Sequence, residues 1–213
     1  MTVTAPHPDL VVGPDGVIRC GWPGMGHADY RDYHDREWGK PVHGETALLE
    51  RLCLEGFQSG LSWLTILRKR PAFRVAFASF DADAIADFSE ADVERLLADE
   101  SIVRNRRKIE ATITNARATV ALRETGGLEE LLWTHAPEPT PRPRRFVDVP
   151  SQTSESELLT KRLRKVGFVQ LGPTTVYAAM QACGLVDDHL VGCFRAGASR
   201  SGSRLTGGMR VSS

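Results

Sequence analysis

The stretch Lys161-Arg162-Leu163-Arg164-Lys165-Val166-Gly167-Phe168-Val169-Gln170-Leu171-Gly172-Pro173-Thr174-Thr175 joins two helical patterns through a glycine-punctuated turn. Upstream, Leu159, Leu163 and Val166 form an apolar stripe behind a Ser154-Glu155-Ser156-Glu157 capping box. Downstream, Thr174 to Cys183 is a second apolar helix, opened by Pro173 at or near its first turn. Gly167 and Gly172 allow positive φ and close approach of another backbone. The free N–H groups at the start of the second helix, around Thr174 and Thr175, point outward and can hold an anion such as a phosphate. The neighbouring lysines and arginines favour that. This is the pattern of a helix-hairpin-helix, a sequence-independent anchor on a DNA backbone. An ordinary helix–helix corner with a glycine C-cap fits the same residues equally well.

Outward from this corner the pattern stays helical. Leu48, Leu52 and Glu55 share one stripe, and Val93, Leu96 and Leu97 follow a Ser89-Glu90-Ala91-Asp92 cap. Ile109, Ile113, Ala116 and Val120 line a long helix that stops at Gly126-Gly127, and Leu128 to His135 reads as a short helix. Ala136 to Pro150 carries five prolines and must be a loop or extended connection. No alternating strand run and no internal repeat stands out, so the predicted fold class is all-α, a helical bundle. Residues 1–16 and 196–213 read as tails around one domain, 17–195, within a chain of 213 residues. Lys plus Arg and Asp plus Glu are 27 each, which excludes a histone-like polycation but not a nucleic-acid enzyme with one basic face. No run approaches the roughly 18 apolar residues of a membrane span, and Met1 to Gly16 lacks the parts of a signal peptide. The expectation is a soluble, cytoplasmic monomer.

Three further groups bear on chemistry. Cys20, His34, His189 and Cys193 make a closed set of two sulfurs and two imidazoles, the usual structural zinc environment. The pairs are separated by most of the chain, so the site would clamp its two ends together. The alternative is four unrelated residues, with cysteines buried as small hydrophobes, as Cys53 and Cys183 read. Arg104, Arg106, Arg107 and Lys108 crowd one helix start; the plain reading is a solvated face, and a phosphate partner is the other. In Cys53-Leu54-Glu55-Gly56-Phe57-Gln58-Ser59-Gly60-Leu61-Ser62-Trp63, Glu55 lies on the apolar stripe of its helix. An inward carboxylate needs a partner, either an interior arginine or a flat, cationic ligand held also by the aromatics Trp22, Tyr30, Tyr33, Trp38 and Trp63.

Arg19-Cys20-Gly21-Trp22, Tyr33-His34-Asp35-x-Glu37-Trp38-Gly39, Leu54-Glu55-Gly56-x-Gln58-x-Gly60-Leu61-Ser62-Trp63 and Met180-Gln181-Ala182-Cys183-Gly184-Leu185-Val186-x-Asp188-His189 resemble the DNA-3-methyladenine glycosylase I family of the helix-hairpin-helix superfamily. The likeness runs from about Arg19 to Cys193. It implies a base-excision repair enzyme that hydrolyses the N-glycosidic bond of 3-methyladenine in double-stranded alkylated DNA, with free base as product. It also implies one structural Zn2+ on Cys20, His34, His189 and Cys193. Glu55 would be the catalytic residue, accepting hydrogen bonds from the base and favouring its positive charge; Trp63 would stack on the base, and Trp22, Tyr30, Tyr33 and Gln58 would complete the pocket. Gly60 and Leu61 would wedge into the duplex, and Gly167, Gly172, Thr174 and Thr175 would hold phosphates. The base would be flipped out, and its positive charge already weakens its bond to the sugar. Many superfamily relatives keep a catalytic aspartate at the place of Asp187; the resemblance implies that this carboxylate is not relied on, and Asp187 reads as incidental. A non-enzymatic DNA-damage binder is the runner-up. A metal-dependent hydrolase is disfavoured, because a four-ligand set leaves no open position for water.

Overall fold

The computed structural model describes residues 7–196. Among them are helices α1 (Ala28–Arg36), α2 (Glu45–Gln58), α3 (Trp63–Ala76), α4 (Ala82–Ala86), α5 (Glu90–Ala98), α6 (Arg106–Leu122), α7 (Gly127–Trp133), α8 (Ser154–Lys165) and α9 (Pro173–Ala182). The central helix is α2, which packs against α3, α6, α7 and α9. Its Leu48, Leu49, Leu52, Leu54 and Phe57 are buried, so apolar side chains leave it in several directions. The stripe of Leu48, Leu52 and Glu55 read from sequence is therefore only one of its buried faces. The α6 stripe follows expectation: Ile109, Ile113 and Ala116 are buried, and Gly126 closes the segment in the left-handed region.

The α8–α9 corner is built as its glycines suggested, with two differences. Gly167 takes φ +101°, but Gly172 sits at −102°; the second left-handed residue is Gln170 at +59°. Gly172 is left with open space where a Cβ would stand, so its value there is accessibility rather than torsion. The α8 cap is Thr153, which accepts from Ser156 N, one residue earlier than the capping box read from sequence. Phe168 and Leu171, 1% and 2% exposed, plug the turn into the core. Asn115 of α6 accepts from Val169 N at 2.8 Å and fixes the turn from below.

A correction concerns the N-terminus. β1 (Leu10–Val12) and β2 (Ile18–Cys20) pair antiparallel, Leu10 opposite Cys20, within and beside the stretch read as a loose tail. Three-residue strands are too short to show alternation, so they leave no period to find. The hairpin is held by Arg19, which is buried on the carboxylates of Asp15 and Asp35. Leu10 and Cys20 pack with Leu190 and Cys193 in a small second core, joining the two ends of the described chain. The outer parts of both expected tails, residues 1–6 and 197–213, lie outside the described residues.

Gly184 closes α9 at φ +73°, and a Cβ there would stand 2.3 Å from the Lys40 carbonyl carbon. Gly184→Ala should therefore destabilise the protein by about 2–4 kcal/mol and lower Tm by at least about 5 °C. Thermal melting of parent and variant checks this; equal melting temperatures would contradict the packing described for this turn.

Candidate active site

Ser62 caps α3 by accepting from Thr65 N, which makes Trp63 the first residue of that helix. The same corner is fixed from behind by Lys108, whose Nζ donates to the Phe57 and Ser59 carbonyls at 2.9 and 2.7 Å. That contact answers part of the question posed by the basic run. Lys108 caps the end of α2, Arg106 pairs with Glu90, Glu94 and Glu110, and Arg104 pairs with Glu100. Three of the four cations are thus paired or capping within the protein.

A cleft of about 280 Å³ opens between α1, α2, α9 and the first turn of α3, and Trp22, Tyr30, Tyr33, Glu55, Gln58 and Trp63 all line it. Tyr30 and Tyr33 lie parallel at 6.4 Å, and Tyr33 meets Trp63 at 5.3 Å. The indole Nε1 of Trp63 is buried without a hydrogen-bond partner. Glu55 is 6% exposed. Burial pushes its carboxyl up to about 8, although Arg51 one turn earlier pulls the other way. Glu37, one helix away, is the contrast. Burial raises it too, but Arg70 and Arg51 outweigh that and hold it at about 2. Arg51 donates to Glu37 at 2.7 Å and Arg70 grips both its oxygens at 2.7 and 2.6 Å. Arg51, the interior arginine near Glu55, thus pairs with Glu37, its Nη1 stays buried without a partner, and no side chain among the described residues hydrogen-bonds the Glu55 carboxylate.

Sequence reading missed several lining residues. Gln181 and Asp188 reach the cleft from the end of α9, and Phe146 and Val149 come from the proline-rich connection. The first pair stood inside a quoted motif and was legible there. The second pair carried no signal, because that connection has no period to read. Trp38, part of the aromatic cluster, also lines the wall.

Ligand atoms of Cys20, His34 and Cys193 lie within 4.8 Å of one another. His189 is the fourth member of the expected set. Its ring meets that of His34 edge-on at 5.0 Å, and its Nε2 is buried with no partner. Both imidazoles are oriented through Nδ1 by a carboxylate at 2.8 Å, Asp35 for His34 and Asp187 for His189. This leaves both Nε2 atoms as donors toward a metal, the usual outer-shell arrangement. The hydrogen bond to Cys193 pushes the Cys20 thiol up, with burial acting the same way; that bond, with help from His34, draws Cys193 down to about 4. Asp187 is not incidental in the fold: Arg142 pairs with its other oxygen at 2.6 Å, and it faces the cluster rather than the cleft.

Of the residues expected against DNA, Gly60 has φ +82° and Leu61 is 42% exposed, in the loop between α2 and α3. Gly167, Gly172, Thr174 and Thr175 sit together at the α8–α9 turn, where the first-turn amides of α9 have no partner in the helix ladder. Arg164 caps that turn by donating to the Leu171 carbonyl at 3.1 Å.

A family model described as methyladenine glycosylase matches residues 22–196. DNA-3-methyladenine glycosylase 1 of Escherichia coli K12 is 45% identical over 179 residues, 82% of this chain and 95% of that protein. A crystal structure of 3-methyladenine DNA glycosylase I superposes with TM-score 0.79 at 44% identity, covering 83% of this chain and 98% of that one. A variant of 3-methyladenine DNA glycosylase I in complex with 3-methyladenine superposes with TM-score 0.76 at 34% identity, covering 80% and 93%.

The raised Glu55 carboxyl makes a stability prediction. Between its ordinary value of 4.5 and about 8, the unfolded chain is ionised at this residue while the folded chain holds the proton. The unfolded state then binds fewer protons, so this group's contribution is full below pH 4.5 and is lost as pH rises through 8. Glu55→Gln removes the effect. The stability difference between variant and parent should shift in favour of the variant by about 1–3 kcal/mol on going from low pH to pH 8 or above. Urea unfolding of both proteins across that range measures it, and a difference independent of pH would show that Glu55 is not held protonated.

Proposed function

The chain belongs to the methyladenine glycosylase family and is a glycosylase; on that premise we propose that it excises 3-methyladenine from alkylated double-stranded DNA, releasing the free base and leaving an abasic site. The observation that carries this reading is a buried carboxylate without a partner, Glu55, among the faces of Tyr33, Tyr30 and Trp63. A cationic, flat base supplies what the empty cleft lacks: a positive charge, hydrogen-bond donors and a ring to stack. Its arrival favours the ionised form of Glu55, so the site gains an ion pair shielded from water. Neutral adenine brings no charge and must either leave Glu55 protonated or strand it, so discrimination rests on charge as well as shape.

The base reaches the cleft by leaving the duplex stack, which costs less for a methylated, poorly paired base. Leu61 on its exposed loop fills the gap, with Gly60 providing the turn. The α8–α9 turn grips the backbone on one side of the lesion through the amides near Gly172, Thr174 and Thr175. The donor set Cys20, His34, His189 and Cys193 fits a structural Zn2+, because it is S₂N₂ and His189 Nε2 is otherwise an orphaned buried atom. Zinc there supplies cross-linking of the chain's two ends, and the chemistry at the base is left to the cleft.

Incubating the protein with methylated duplex DNA and separating the released bases tests the activity directly; release of no 3-methyladenine would overturn it. Glu55→Gln and Trp63→Ala should each cut release by at least about tenfold and weaken binding of free 3-methyladenine, with undamaged-DNA affinity near that of the parent. If Glu55→Gln releases 3-methyladenine from the duplex as fast as the parent does, the pocket lies elsewhere.

Elemental analysis of untreated protein should find about one zinc per chain. Cys193→Ala should lose it and melt at least about 5 °C lower. Substoichiometric zinc in the parent, or a Cys193→Ala protein that melts like it, would remove the metal from this reading.

A further inference from the structure

The cleft holds a second carboxylate that the recognition of the base does not use. Asp188 lies just past α9 and lines the cleft together with Glu55. It is held firmly by one oxygen only. Tyr177 Oη and Gln181 Nε2 both donate to its Oδ2 at 2.7 Å, while Oδ1 takes no hydrogen bond among the described residues. A carboxylate with one oxygen doubly tethered and the other free has a fixed direction and an unused lone pair. Asp188 has a second property that no other residue of the cleft shares. Behind it lies a separate cavity of about 610 Å³ under the proline-rich connection, and Asp188 lines both spaces. A nucleotide seated in the first cleft would close its mouth; the second cavity offers water another way to the same carboxylate.

We infer that Asp188 is a catalytic residue, the general base that orients the attacking water, with Tyr177 and Gln181 as its positioning residues. This rests on the glycosylase reading above. In the step, the water oxygen bonds to C1′ of the flipped nucleotide, and the C1′–N bond breaks with its electron pair going to the base. The cationic 3-methyladenine leaves as the neutral molecule and needs no proton. The water must lose one, and Oδ1 of Asp188 accepts it. Between the two states the negative charge also faces the positive character developing at C1′. Asp187, turned toward the cysteines and histidines, is in no position to do this. The roles divide by neighbour: Glu55 serves the base and Asp188 the sugar and water.

The test is single-turnover release of 3-methyladenine from methylated duplex DNA by the full chain. Asp188→Asn should slow release by about a hundredfold or more, with affinity for free 3-methyladenine and for undamaged DNA within about twofold of the parent. Asp188→Ala should recover release on addition of azide, whose anion attacks C1′ with no proton to remove, and the abasic end should then carry azide. A merely structural role would give no such rescue. Tyr177→Phe keeps the carboxylate but loses one tether, and should slow release by about tenfold; it decides the matter if the Asp188 variants unfold. Release by Asp188→Asn within threefold of an active parent overturns the inference, as does a slow Asp188→Ala that azide leaves slow, or a Tyr177→Phe as fast as the parent. A parent that releases no 3-methyladenine would instead overturn the glycosylase reading itself.

Discussion

Arg51 gives its ion pair to Glu37 and not to Glu55, with its Nη1 left buried and unpartnered among the described residues. With Arg70 it forms a three-membered ion group that satisfies Glu37 and draws its proton off. Glu55, one turn further along α2, is left buried and without a hydrogen-bonding partner. Two glutamates of ordinary intrinsic acidity are thus separated by their surroundings, one drawn down to about 2 and the other pushed up to about 8. No partner among the described residues relieves the cost of Glu55, and the helix carrying it is the one around which α3, α6, α7 and α9 pack. A destabilising group at the centre of the molecule persists because the surrounding core fixes its position.

The capping contacts serve the same end. Lys108 closes the last turn of α2, Ser62 opens α3 immediately afterwards, and the loop between them is four residues long, 59 to 62. Glu55, Gln58 and Trp63 therefore stand on rigid helix ends on either side of a short loop. Residues on helices hold their geometry more closely than residues on long loops do.

How much of this could be read in the sequence follows from which features are local. The helices, the α8–α9 corner and the inward position of Glu55 were legible, because periodicity, caps and glycines are statements about neighbouring residues. The cleft was legible as a list of aromatics near Glu55, although nothing in their spacing says that Trp22 and Trp63 share a wall. Three things were not legible. The β1–β2 hairpin is too short to have a period. Lys108 looked like one of four surface cations because its acceptors, the carbonyls of Phe57 and Ser59, lie some fifty residues away in the chain. Asp187 and Asp188 are adjacent letters, yet one holds His189 and the other faces the cleft. Which of two neighbours points where is decided by the turn after α9, and no residue type reports it.

The proline-rich connection gives two side chains to the cleft, Phe146 and Val149, and three contacts tie it to the ends of the chain. Arg142 pairs with Asp187, the Pro143 carbonyl accepts from Val191 N at 2.9 Å, and Asp9 of the N-terminal hairpin holds both Arg145 and the Phe146 amide. A fifteen-residue segment with no α-helix and a single 3-10 turn, Phe146–Asp148, would ordinarily surrender a good deal of chain entropy when a ligand closes against it. Here its prolines and its three moorings have already surrendered most of that freedom during folding. The wall that meets an incoming base is therefore close to its final shape beforehand, and the affinity of the cleft is not diluted by the ordering of a loop.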